Sequence, residues 1–254
     1  MDRLQNQLTS ERKAKEDALR RLATEAERKL FDNNPDITDL SDPNRPMKLA
    51  ERMSELYDNE WTTALENLTE KRMTEVQAIQ YLLNILTDIY LFCENAANGQ
   101  FSGLLPKVAV PERALQYSSK SKLRLSEPPA DFYKIMKDYR KKNWACAVPL
   151  LQMAFKEQKN DSMIGFCKNY VDECMKLCWL MKIQDPPVHM EWNYRNGNSF
   201  DNSVFRTYTK TGNVIDFVVW PILFIHKNGP LLSKGIAQGK KTEQRQASKQ
   251  ATLI

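Results

Sequence analysis

The stretch CMKLCWLMKIQDPPVHMEWNYRNG, residues 174–197, decides the fold class. Upstream of Asp185-Pro186-Pro187 the apolar residues recur at helical spacing. Cys167, Tyr170, Cys174, Cys178 and Met181 share one face of a helix that runs from Asp161 or Ser162 to about Lys182. After Pro187 the period becomes two. Val188, Met190, Trp192 and Tyr194 alternate with His189, Glu191 and Asn193, the pattern of a half-buried strand. Arg195-Asn196-Gly197-Asn198 is then a strong turn signal. A helix-forming front is therefore joined to a strand-forming back.

Working outward, the back half continues in short strands. They fall at Val204–Thr209 and Val214–Trp220, and one more hairpin is suggested by Ile222–His226 and Pro230–Gln238. Turns at Lys210–Asn213 and Lys227–Gly229 separate them. Upstream, Asp42 before Pro43 reads as a helix cap. The next helix, about 46–69, carries Leu49, Met53, Leu56, Tyr57, Trp61, Ala64, Leu65 and Leu68 inward. Another, about 71–97, has a wide apolar arc and is stopped by Asn98-Gly99, with a loop over 98–111 and a short helix at 112–118. Ser126 caps a helix over about 128–146 with Phe132, Ile135, Met136 and Tyr139 inward, and Pro149 starts or kinks a helix over about 147–158. The expected fold is α+β: mainly a helical bundle followed by a small antiparallel sheet. The domain reading is a coiled-coil-like helix and linker at 1–40, a domain at 41–238 with its sheet at 188–238, and a disordered basic tail at 239–254.

Residues 1–30 are rich in Glu, Lys, Arg, Ala and Leu, without Gly or Pro. Leu4, Leu8, Leu19, Leu22, Ala26 and Leu30 form a broken stripe. It reads either as the end of a coiled coil that self-associates or as a solvated helix.

Composition excludes much chemistry. The chain has 8 Gly, none in a phosphate-loop or nucleophile-elbow arrangement. Its two histidines, His189 and His226, have no Cys or carboxylate partner at a recognisable spacing. Five cysteines without CxxC spacing suggest reduced thiols, and Cys167, Cys174 and Cys178 on one helix face read as core packing or, as the lesser alternative, as a metal or redox site. No carboxylates are paired for acid–base work, so no enzyme, metal or cofactor is expected. The N-terminus is charged throughout and shows no secretory signal. The longest stretch without a charge is Asn143–Phe155, 13 residues, too short to span a bilayer, so any membrane contact is expected to be peripheral.

The formal charge of +5 conceals a division. Residues 41–98 carry −5, whereas 99–187 carry +6 and 188–254 carry +5. The basic residues concentrate at Lys120, Lys122 and Arg124, then at Lys134, Lys137, Arg140, Lys141 and Lys142. Such a patch is either a solvated basic face or an anion-binding one. As a binding site it suits an anionic phospholipid surface, where each charge is worth roughly 1 kcal/mol. Nucleic acid is disfavoured because aromatic residues are not interleaved with the charges. An alternative reading is a protein-interaction adaptor that presents the C-terminal sheet to a peptide.

Four ordered stretches then carry a family resemblance: SDPNRPMKLAERMSELYDNEWTTALENL (41–68), CWLMKIQDPPV (178–188), FRTYTKTGNVIDFVVWPILF (205–224) and GPLLSKGIAQ (229–238). Together they resemble the C-terminal domain of the mitochondria-eating protein (Mieap) family, over roughly residues 40–238. The resemblance implies a non-enzymatic scaffold of mitochondrial quality control, cytoplasmic and recruited to mitochondria. It implies cardiolipin as the lipid partner; self-association through the N-terminal helix and mitochondrial outer-membrane proteins are further expected partners. Long family members have extensive sequence before this domain, so a fragment or a short paralogue is implied. The resemblance transfers no catalytic or lipid-contact residue.

Overall fold

The structure is a computed structural model that describes Lys15, residues 42–109 and residues 128–241. The coiled-coil reading of 1–30, the short helix at 112–118, the Ser126 cap and the tail beyond 241 lie outside the described residues.

The first helical column begins with α1 (Pro46–Leu56), passes through a π turn (Tyr57–Trp61) and continues as α2 (Thr62–Glu70). Pro46 occupies the first turn, where its missing N–H costs nothing. Asp42 instead accepts from the Asn44 N–H at 2.8 Å in the turn before. The π turn has a cause in the sequence. Leu49, Met53 and Leu56 are spaced for one face, and after half-buried Tyr57 the next buried residue, Trp61, comes five positions beyond Leu56. One wider turn restores the phase, so Trp61, Ala64 and Leu68 are buried on the same side.

A capping box opens α3 (Glu75–Ala109). The Thr74 N–H donates to Gln77 Oε1 at 2.9 Å and the Gln77 N–H donates to Thr74 Oγ1 at 3.3 Å. The expected stop at Asn98-Gly99 is not there, and the helix runs on through Gly99 and Gly103. Exposed glycine in a helix costs only about 1 kcal/mol. Against that cost, the Ser102 hydroxyl donates to the Gly99 carbonyl at 3.1 Å, and Arg140 donates to the Ala97 carbonyl at 3.1 Å. α3 is long and apolar enough to cross a membrane, yet its apolar face is core: Ala78, Ile79, Leu82, Ile85, Leu86, Ile89 and Cys93 are at most 1 % exposed.

Next come α4 (Ala130–Lys142), whose N-cap is Pro129, and α5 (Trp144–Lys159), which takes Pro149 into its first turns. The long helix expected from Asp161 begins as a 3-10 segment (Ser162–Cys167), with the Asp161 carboxylate accepting from the Met163 N–H at 2.9 Å. It becomes α6 (Lys168–Lys182), ten of whose fifteen residues are buried, against α3 and also against α1 and α5. Cys167, Cys174 and Cys178 are core residues of this pair.

The strands are β1 (His189–Glu191), β2 (Phe205–Thr207), β3 (Val214–Trp220), β4 (Ile222–Phe224), β5 (Leu231–Ser233) and β6 (Gly235–Lys240). They form two small sheets, β1-β4-β5 and β2-β6-β3, and β2 runs parallel to β6 while the other pairs are antiparallel. The chain changes sheet three times: between β1 and β2, at Pro221 and at Lys234. At the last crossing only glycine fits: a Cβ on Gly235 would stand 2.8 Å from the Trp220 carbonyl oxygen. β6 ends at Lys240, past the expected start of the tail. Tyr90 ties helices to sheet, its hydroxyl donating to Val188 O at 3.2 Å and accepting from the Met190 N–H at 3.0 Å. One large core cluster accordingly takes in α1, α3 and α6 together with Val219, Trp220, Leu223 and Ile236. The class is α+β, mainly helical with a small sheet region after the helices.

Candidate functional site

Among the described residues the site is built on α4 and α5. α4 contributes no buried hydrophobic residue to the core. It lies on the body by its cationic face. Lys137 pairs with Asp185 at 2.9 Å and Lys141 with Asp42 at 3.8 Å. Arg140 reaches the Ala97 carbonyl, and its guanidinium stands 4.6 Å over the Phe101 ring. Burial lowers the Arg140 pKa from its ordinary value, with Asp185 acting the other way. Lys134 is half-buried and Lys142 is exposed.

This orientation corrects the expected inward set. Phe132 and Met136 are half-buried, but Ile135 is 66 % exposed and Tyr139 is 63 % exposed. The helix is turned because the surface beneath it offers two carboxylates and a helix carbonyl, which attract the cations more strongly than they attract Ile135. Lys120, Lys122 and Arg124 lie outside the described residues. Their segment is joined to the end of α3 at Ala109 and to the start of α4 at Ala130.

α5 is apolar on both sides. Val148 and Phe155 are buried, with Trp144 and Leu151 packed against the core. On the opposite side Leu150 and Met153 are each 68 % exposed, and Cys146 and Pro149 are exposed with them. The uncharged run Asn143–Phe155 carries this signal in the sequence, because an uncharged helix too short to span a bilayer presents apolar residues on both faces.

Other polar groups find each other. Tyr208 donates to Glu75 at 2.7 Å, and Lys240 pairs with Asp216 at 3.3 Å, in a cleft between α3 and the second sheet. Lys182 is buried, 2.7 Å from Glu94 and 3.5 Å over the Tyr90 ring. His189 does have a carboxylate neighbour, Glu191 at 3.5 Å, two residues along the same strand face.

A sequence model of the mitochondria-eating protein family matches residues 45–239. Neither the curated proteins nor the solved structures contain a match. The matched region holds every described element from α1 to β6 but for the last residue of β6, and the chain belongs to the mitochondria-eating protein family, a family of mitochondrial quality control.

Proposed function

We propose that the chain is a non-enzymatic scaffold of mitochondrial quality control, recruited from the cytoplasm, that docks peripherally on anionic, cardiolipin-containing membrane and self-associates through its N-terminal helix. The observation that carries the lipid reading is the mounting of α4. Its lysines are held by partly exposed ion pairs, each worth about 0–1 kcal/mol. A cation near an anionic membrane gains roughly 1 kcal/mol. Lys137 and Lys141 can therefore exchange a carboxylate for a lipid phosphate at little net cost. Lys142 is exposed on the same helix, and Lys120, Lys122 and Arg124 precede that helix in the sequence. Self-association rests on the apolar stripe of residues 4–30.

Vesicle co-sedimentation tests this. The full chain is expected to pellet with phosphatidylcholine–cardiolipin vesicles at low salt and to be released by added salt. Changing Lys120, Lys122, Arg124, Lys137, Arg140 and Lys141 to Glu is expected to abolish pelleting. Equal recovery on neutral vesicles removes the lipid reading.

A second reading, a protein-interaction adaptor, draws support from β5. It is an edge strand whose Leu231 is 39 % exposed. Capture of an outer-membrane protein that survives the charge reversal but is lost in Leu231→Lys would favour it.

A further inference from the structure

The sequence contains three Asn-Gly steps, Asn98-Gly99, Asn196-Gly197 and Asn228-Gly229. In such a step the asparagine side chain is open to attack by the next backbone nitrogen, because glycine places no side chain beside that nitrogen. The structure separates the three. Asn98 and Gly99 lie inside α3, where the helical ladder fixes both backbones. The Asn196 amide is held at both ends: its Nδ2 donates to Asp216 at 2.9 Å, and its Oδ1 accepts from the Lys240 ammonium. The Gly197 N–H donates to the Ile215 carbonyl at 2.8 Å, so that step is pinned to β3. Asn228-Gly229 stands differently. It is at the tip of the β4–β5 hairpin, which the Ile225 N–H closes by donating to the Pro230 carbonyl at 3.0 Å. Lys227 and Asn228 are exposed, and among the described residues nothing hydrogen-bonds the Asn228 amide. Only the turn's own bond, from the Gly229 N–H to the His226 carbonyl at 2.9 Å, has to open for that nitrogen to reach the side chain.

The fold itself calls for this pair. Position 228 has φ of 64°, a left-handed conformation that asparagine tolerates better than most side chains. A Cβ at 229 would press on the His226 ring at 2.8 Å, which favours glycine there. Two separate local requirements therefore set a reactive dipeptide at an exposed tip. We infer that Asn228 is a site of spontaneous covalent modification with water as the co-reactant. The Gly229 backbone nitrogen gives up its proton and bonds to Asn228 Cγ. The Cγ–Nδ2 bond breaks, and the nitrogen leaves with that proton as ammonia. One water then opens the five-membered succinimide. Opening at the side-chain carbonyl gives aspartate, and opening at the backbone carbonyl gives isoaspartate, whose main chain runs through Cβ. Nothing is oxidised or reduced. Both products place a negative charge where a neutral amide stood. Isoaspartate also lengthens the turn by one main-chain carbon, beside the Phe224–Leu231 pairing of β4 with β5. The change accumulates with the age of the molecule and depends on neither functional reading.

The test ages the full chain at neutral pH and digests it under mildly acidic conditions, where the reaction is slow. Mass spectrometry follows the three Asn-Gly peptides, and enzymatic methylation reports isoaspartate. Asn228 is expected to convert about tenfold or more faster than Asn98 or Asn196, since both of those have further hydrogen bonds to break. In guanidinium chloride the three rates should converge, because every step is then flexible. Asn228→Gln should remove the isoaspartate formed by the folded chain. Equal rates at the three steps of the folded chain overturn the inference, as does conversion of Asn228 in denaturant alone. Converted chain, separated by ion exchange, is expected to melt below fresh chain. Asn228→Asp, which reproduces only the aspartate product, should melt close to fresh chain, because aspartate also tolerates positive φ. Converted chain that melts like fresh chain overturns the disturbance of the β4–β5 pairing.

Discussion

At the scale of single residues the buried thiols have the clearest consequence. Burial pushes Cys93 up to about 12 and Cys167 up to about 11 from an ordinary value of 9.0. Cys174 and Cys178 are driven well above that value by the same cause. Each thiol keeps its proton in the folded protein over a range where the unfolded chain loses it. The stability this confers is complete below the ordinary thiol range and falls as pH rises through it toward the folded values. One such group changes stability by up to about 1.4 kcal/mol per pH unit there. Tyr90 and Tyr170, raised chiefly by burial, extend the loss to higher pH. The melting temperature is expected to be level between about pH 7 and 8 and to fall steadily above about pH 9. A flat profile to about pH 10.5 would show that these thiols are not the protonated core groups described here. Their core role was legible in the sequence because three of them fall on one helical face with Tyr170 and Met181. Burial was the informative property, and pattern reports burial well.

At the scale of elements, the sequence pattern succeeded where a helix has one neighbour on one side. The inward face of α1 and α2 was read residue by residue, and β3 was bounded as Val214–Trp220 by Pro221. It failed on α4, whose apolar arc suggested burial of Ile135 and Tyr139. Periodicity ranks faces by hydrophobicity and cannot see that the docking surface carries Asp42, Asp185 and the Ala97 carbonyl. The antiparallel sheet was likewise legible strand by strand, but the parallel β2–β6 pairing joins segments about thirty residues apart and has no local signature. The mounting of α4 makes a signed prediction. Asp185 competes with any external anion for Lys137, so Asp185→Asn should free that lysine. Binding to anionic vesicles is expected to strengthen by several-fold, with a stability change under about 1 kcal/mol because the pair is partly exposed. Weaker or unchanged binding in Asp185→Asn would mean that Lys137 does not exchange partners.

For the whole molecule, the division of charge has a use inside the fold: the acidic front supplies Asp42, and Asp185 adds a second carboxylate, to hold α4 in place. Nothing in the sequence indicated how tightly the helices and the sheets are joined, because the joint is made by long-range packing. Leu86 and Met175 lie in the same cluster as Val219 and Leu223, and Tyr90 bonds the first strand to α3. A chain whose largest core cluster spans both halves should unfold as one unit, and the smaller cluster of Phe205, Ile215 and Ile222, with Leu83 of α3 packed against it, should melt with it. Far-ultraviolet circular dichroism reports mainly the helices, whereas indole fluorescence reports the strand region through Trp192 and Trp220 once Trp61, Trp144 and Trp179 of the helical part are changed to Phe. Both should give the same urea midpoint. Leu86→Ala in α3 should cost about 3 kcal/mol, since its side chain is 0 % exposed and leaves a cavity. Val219→Ala in β3, also 0 % exposed, should lower the midpoint of both probes and not of fluorescence alone. Two separated transitions, or a Val219→Ala effect confined to fluorescence, would divide the molecule into a helical unit and a sheet unit that melt independently. In that case α3 could not owe its order to the sheet, and the continuity of the core from Leu49 to Ile236 would have to be abandoned.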